Sequence, residues 1–311
     1  MAIRFLWRAA AMVERHRTGF LIVSCAGLFG ANLTFHIVPQ KTFKPLYQAW
    51  ARGQPDELSE KLQSLFHDIL SDLRVKSENH YQAFAAFSFH PVSAGIPWLP
   101  SGCVVGIPVS FGGTSSDEHG IANHVVVIEG KVVDWKSTEG LALKEALTLS
   151  LEAQKFAIAR EVMYLQNNSP LIHAAVAPIC LAGIYVSGVA IKQLLGLYSG
   201  PVVLRGLYNL TVAMIGFVGY CLSYDTVSRA VDYRTDRSTA TISTDFAKGG
   251  AEFYNKTLAQ NKTLRTLMGK RGEKTYAANG NLFPRYWFRL QHAPYTSRRD
   301  LIISILSMPQ A

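Results

Sequence analysis

Three apolar stretches without a charged residue set the outline of this chain. Residues 18–38 hold no Lys, Arg, Asp or Glu. Twenty-one helical residues cover ~30 Å of hydrocarbon, so the pattern predicts a first membrane span. Residues 170–191 and 206–224 repeat it and predict a second and a third, with Lys192 and Arg205 at the corners of the connection. Small residues recur in both: Ala174, Ala177, Ala182, Gly183, Ser187 and Gly188 in one, Gly216 and Gly219 in the other. Such residues let helices approach closely in lipid, where apolar contact alone gives no drive. A hairpin returns the chain to the side it left, so the segments before residue 170 and after residue 224 share a compartment.

Outside the spans the period changes. Residues 39–55 carry three prolines and read as a polar linker. Over 57–73, Leu58, Leu62, Leu65, Phe66, Ile69, Leu70 and Leu73 fall three and four apart, which predicts an amphipathic helix. Prolines at 97, 100 and 108 bracket a short strand at 103–107. Apolar runs at 125–128 and 132–135, joined by Glu129-Gly130-Lys131, predict a strand pair, giving a small sheet beside the next helices. Those helices are predicted at 141–149 and 151–165. Ser150 suits the N-cap of the second, and Glu152 in its first turn suits the helix dipole. The expected fold class is α+β and mainly helical: an N-terminal span, then a domain in two parts, 56–169 and 225–311, around an inserted membrane hairpin.

Composition narrows the class. Hydrophobic residues make up 49% of 311, and mean hydropathy is +0.12, which suits a few spans. Three of the four cysteines, Cys25, Cys180 and Cys221, lie in the spans and Cys103 outside them, so no disulfide framework is expected. Net charge is +9 and concentrates late: from Asp225 onward fourteen Lys and Arg stand against seven acids. Beside a bilayer such a surface favours anionic lipid headgroups. No RNP-like run, zinc finger or basic helix accompanies the charge, so nucleic acid is not an expected partner. Residues 1–17 form a basic segment with Arg4, Arg8, Arg15 and Arg17 against Glu14. It suits a mitochondrial address, a basic flank that orients the first span, or both.

The candidate chemistry lies at 150–165, SLEAQKFAIAREVMYL. In a zinc peptidase the helix motif HExxH places two ligand histidines one turn apart, with the Glu between them activating water. Here the same five positions read Arg160, Glu161, Val162, Met163, Tyr164. A guanidinium has no lone pair to give a metal, and the phenol of Tyr164 is a poor ligand. After the hairpin, 228–240 read SRAVDYRTDRSTA. This resembles the SRxxExxADxxA segment of the HtpX-type membrane metallopeptidase clan, whose Glu is the third zinc ligand. Asp232 falls on that position and Asp236 on the downstream Asp. Gly249-Gly250 and the His292-Ala293-Pro294 run with Arg298 and Arg299 resemble later features of the clan, in order. The resemblance implies a degenerate zincin-like domain; with Arg at one ligand position and Asp at the other, Arg160 is expected to stand in for the metal and pair with Asp232 or Asp236. No catalytic residue, metal or cofactor is then expected. His119 and His124, near Asp117 and Glu118, match no ligand spacing and give no metal site.

A closer resemblance runs from end to end. RHRTG at 15–19, SCAGLFG at 24–30, HPVSAG at 90–95, VVGIP at 104–108, EAQKFAIAREV at 152–162, GEK at 272–274 and PYTSRRD at 294–300 resemble the transmembrane protein 177 family. That resemblance implies a multi-pass protein of the mitochondrial inner membrane without enzymatic activity. It also implies a part in the biogenesis of cytochrome c oxidase subunit II, alongside that subunit's assembly chaperone. A membrane-bound hydrolase with an atypical site is the alternative, although the chain holds no GxSxG, HExxH or CxxC. A transporter fits poorly, since the spans hold no Asp, Glu, Lys or Arg. Positive residues before the first span favour a matrix N-terminus and the domain in the intermembrane space, while Arg229, Arg234 and Arg237 beside the last span pull the other way; a re-entrant pair after Pro170 would put the C-terminal part in the matrix.

Overall fold

The computed structural model describes residues 15–51, 53–112, 126–284, 286 and 289–307. The expectations at 1–14, at Val125 and at His119 and His124 lie outside them.

Among the described residues, three helices are long and apolar enough to cross a membrane: α1 (Arg17–Ile37), α7 (Ser169–Leu194) and α8 (Val202–Ala240). The third departs from expectation. The helix does not stop with the apolar run near 224 but continues for 39 residues in all, since no Pro or Gly interrupts 220–240 and its last turns pack into the second unit through Asp232 and Asp236. The remaining elements are α2 (Pro39–Thr42), α3 (Lys44–Tyr47), β1 (Trp50–Ala51), β2 (Gln54–Pro55), α4 (Glu60–Asp72), β3 (Tyr81–Ala86), β4 (Val92–Gly95), β5 (Cys103–Pro108), β6 (Val127–Ile128) and β7 (Lys131–Val132). Then come α5 (Thr138–Leu147), α6 (Leu151–Gln166), α9 (Thr244–Leu267), α10 (Lys270–Thr275) and α11 (Tyr295–Ser307). The protein is mainly helical with small sheets.

Contacts divide the chain into two compact units, one of residues 1–34 and 171–227, the other of 35–170 and 228–311. Within the first, two of the four expected glycines of α7 and α8 make close contact, Gly188 and Gly216, while a Cβ on Gly183 or Gly219 would meet nothing within 4 Å. A Cβ on Gly216 would collide with Ile184, and one on Gly188 would stand 3.2 Å from Val212. The Tyr208 hydroxyl donates to the Gly188 carbonyl at 2.7 Å, satisfying both polar groups inside an apolar segment.

The second unit is built on a three-stranded sheet ordered β3-β5-β4, with β3 parallel and β4 antiparallel to β5. This is the sheet beside the Arg160 helix. The pair expected there from the later apolar runs instead forms its own two-residue ladder, β6-β7, and joins a satellite core with Leu143, Leu147 and Leu264. The main core joins the buried faces of α4, α6 and α9 to β3 and β5 through Leu65, Phe66, Ile69, Val105, Ile107, Phe156 and Val162. The amphipathic helix starts at Glu60, three residues later than its apolar pattern, because the Ser59 hydroxyl accepts the Leu62 amide as N-cap. The proline-bearing stretch after α1 is not linker alone. Pro39 and Pro45 stand in the first turns of α2 and α3, where a missing N–H costs nothing.

Candidate functional site

The capping at Ser150 sets the register of α6. Its hydroxyl accepts the Ala153 amide and donates to Glu252 of α9, while its own amide also meets Glu252. α9 crosses α6 at Gly249 and Gly250. A Cβ on Gly249 would strike the Glu152 carbonyl, and one on Gly250 would meet Phe156 at 2.7 Å and Ile302 at 2.9 Å. The glycine pair, which resembles a Gly-rich helix start of the peptidase clan, is instead a close helix crossing inside α9, and it brings α9 and α11 against α6.

There the structure gathers five charged side chains. Arg160 donates through every nitrogen: Nε to Asp236 Oδ1 at 2.9 Å, Nη1 to Glu161 Oε1 at 2.7 Å and Nη2 to Asp232 Oδ1 at 2.9 Å. Asp232 and Asp236 lie four apart on α8 and so share a face. The second guanidinium, Arg298 of α11, grips the fully buried Asp236 with Nε–Oδ2 at 2.6 Å and Nη2–Oδ1 at 2.8 Å, and stands 3.5 Å from Asp232. The Tyr254 hydroxyl gives Asp236 Oδ1 a further hydrogen bond at 2.8 Å, and the Arg298 guanidinium lies 4.9 Å from the centre of its ring. Glu161 turns its other oxygen to the Ser93 hydroxyl of β4 at 2.7 Å. Asp232 Oδ2 accepts the Ala293 amide at 3.3 Å and lies 3.5 Å from His292 Nδ1. The network ties α6, α8, α9, α11 and β4 together.

Two guanidinium charges face three carboxylates, and burial opposes every one of them. For Arg160 that opposition is overcome by Tyr254, Asp236, Glu161 and Asp232, which hold its pKa above the ordinary value. Asp232, beyond the apolar part of α8, is also opposed by burial, but the His292 contact, Arg298 and Arg160 hold it well below the usual carboxylate range. Burial pushes Tyr254 up, so its phenol keeps the proton it donates. His90 is driven down to about 4 by burial and by the two arginines, and stays neutral at neutral pH. It lines a half-open cavity of about 90 Å³ with Arg160, Glu161, Tyr254, Tyr295 and Arg298, which has room for a few water molecules.

Of the residues singled out from the sequence, Arg160, Glu161, Asp232 and Asp236 meet at one point. Tyr164 lies one turn further along α6, half-buried and packed against the main core. In the sequence Arg298 is marked only through a resemblance, and nothing there ties Tyr254, Ser93 or His90 to this cluster. Among the described residues, no group of three or more His, Cys, Asp or Glu side chains is placed to hold a metal. The centre between the three carboxylates is taken by a group without a lone pair, and both Glu161 oxygens are engaged. The donor set does not fit a zinc ion. What the arrangement does is fix five elements to each other.

A family model described as Transmembrane protein 177 matches residues 121–284. Transmembrane protein 177 of Xenopus laevis is 54% identical over 306 residues, 98% of this chain and 99% of its own. The Danio rerio protein of that name is 50% identical over 306 residues, with 98% of each chain covered. The Homo sapiens protein is 51% identical over 300 residues, with 96% of each covered. No solved structure matches. A chain with this coverage of relatives, and with three helices fit to span a membrane, belongs to the transmembrane protein 177 family.

Proposed function

We propose that this multi-pass membrane protein is a non-enzymatic scaffold of the mitochondrial inner membrane, a zincin-like domain without its metal. In this reading it holds partners during the biogenesis of cytochrome c oxidase subunit II, together with that subunit's chaperone. The observation that supports the non-enzymatic part is the Arg160 guanidinium hydrogen-bonded to Glu161, Asp232 and Asp236 at once. A permanent cation stands where a peptidase of the HtpX type would keep zinc, and without a metal to acidify water Glu161 has nothing to activate. The alternative, a membrane-bound hydrolase with an atypical site, needs a nucleophile arrangement for which the sequence offers no GxSxG, HExxH or CxxC. The specific partners and the mitochondrial location rest on the family resemblance, with the domain facing the intermembrane space and anionic lipid near its basic last third.

Pulse-labelling of mitochondrial translation products in cells lacking the chain tests the role. Newly made subunit II should turn over faster, and it should co-purify with the tagged chain. Unchanged turnover without co-purification contradicts the proposal. Protease protection in mitochondria and mitoplasts assigns the compartment.

A further inference from the structure

The connection between β4 and β5 has no part in the Arg160 network, and its chemistry is of a different kind. It reads Ile96-Pro97-Trp98-Leu99-Pro100-Ser101, six residues without a charge. Two glycines with positive φ close it, Gly95 at 128° and Gly102 at 63°. At Gly95 a Cβ would strike the Gly102 carbonyl, and at Gly102 the His80 carbonyl, so neither position admits a side chain. Inside, the Leu99 amide bonds the Ile96 carbonyl at 3.0 Å and the Gly102 amide bonds the Leu99 carbonyl at 2.9 Å, while His80 Nδ1 lies 2.7 Å from the Pro97 carbonyl. Ile96 is buried beneath. The tip is therefore rigid, yet it leaves Trp98 63% exposed, with Pro100 also exposed and Leu99 half-buried.

Its tethers say what it faces. The Ser101 hydroxyl donates to the carbonyl of Ile37, the last residue of α1, at 2.6 Å. The Gly95 amide meets His36 Nδ1 at 3.2 Å. The Trp98 indole N–H donates at 3.3 Å to the Asn168 side chain, immediately before α7 begins. Asn168 sits at φ 52°, a left-handed turn at the mouth of that helix. One tip is thus hydrogen-bonded to the end of one candidate span and to the start of another, the two points at which the chain leaves and enters hydrocarbon. Tryptophan with its N–H satisfied and its ring bare is the side chain best suited to the boundary between headgroups and acyl chains.

From these tethers we infer that the Ile96–Ser101 tip is a membrane-interface anchor, with Trp98 and Leu99 seated in the headgroup–acyl boundary of the bilayer. Its partner is the lipid surface. The inference does not depend on the proposed assembly role, since it requires only that α1 and α7 cross a membrane.

Hydroxyl-radical footprinting of the intact wild-type chain tests this. The chain is reconstituted in phosphatidylcholine–cardiolipin vesicles, and Trp98 oxidation is compared with that of the urea-unfolded chain. Several-fold protection of Trp98 in lipid alone is the expected result. Oxidation at the unfolded rate, or protection that appears only when mitochondrial protein is added, overturns the inference, the latter in favour of a protein partner. A second measurement uses a chain with Trp98 as its single tryptophan, Trp7, Trp50, Trp135 and Trp287 each replaced by Phe. Its emission should be quenched more by lipids brominated near the headgroup than by lipids brominated at the chain end. Absence of quenching by either also overturns the inference.

Discussion

Replacing Arg160 by methionine removes the one side chain that bonds three carboxylates, and the structure fixes the scale of the loss. Its three charge-assisted hydrogen bonds run from 2.7 to 2.9 Å, and at about 1.5–3 kcal/mol each they set a gross ceiling near 5–9 kcal/mol. Much of that is returned. Asp236 keeps the bidentate Arg298 and Tyr254, Asp232 keeps the Ala293 amide, and Glu161 keeps Ser93. The desolvation cost of the guanidinium itself, only 17% exposed, also disappears. What remains is the penalty for leaving one positive charge among three buried acids, about 3–5 kcal/mol. For a domain of 150–250 residues each kcal/mol moves Tm by about 2–4 °C, so a fall of roughly 10 °C is expected. Thermal unfolding of the detergent-solubilised chain, followed by tryptophan emission, reads it. Arg160→Lys keeps the charge but not the fork geometry and should recover less than half. A methionine variant that unfolds at the wild-type temperature would refute the claim that this guanidinium organises the site.

The same geometry has further consequences. Arg298→Met should cost at least as much as Arg160→Met, about 4–5 kcal/mol, because Arg298 is 5% exposed and holds the fully buried Asp236 by two bonds; the same unfolding assay checks the order of the two. Gly250→Val should destabilise by about 1–3 kcal/mol through overpacking against Phe156 and Ile302, whereas Gly249→Ala meets the Glu152 backbone and should cost more; denaturant midpoints compare them. His90 gives a pH dependence. Its folded pKa, about 4, lies below the ordinary 6.5, so its contribution is present above pH 6.5 and is lost as pH falls through 4. The size is on the order of 2 kcal/mol after allowance for partial exposure. Asp232, likewise depressed, adds its loss only below the ordinary carboxylate value. Unfolding between pH 7 and 4 should therefore show a slope that His90→Phe flattens.

The candidate spans are legible in the sequence for a physical reason: charge-free runs are local patterns that need no partner to be seen. Asp232 and Asp236 are marked in it only by their resemblance to a peptidase segment, and the structure brings both to Arg160. The parts that escaped depend on distant partners. β3, YQAFAA, is half alanine and has weak strand propensity, and it becomes a strand by pairing with β5. Arg298 joins Asp236 across 62 residues, and Tyr254 reaches it from another helix, so no spacing rule marks either. The continuation of α8 past its apolar face was hidden by a change in composition that is not a change in backbone preference. Gly249 and Gly250 drew attention as a resemblance, but their role as a crossing point depends on Glu152 and Phe156, nearly a hundred residues earlier.

In the proposed reading the Arg160 guanidinium stands where a related peptidase would keep its metal. Equilibrium dialysis of the purified chain against zinc, with elemental analysis of both the wild-type protein and Asp232→Asn, decides it. The expected result is less than stoichiometric zinc in wild type and the same content in the variant. One zinc per chain, lost on changing Asp232, would contradict it.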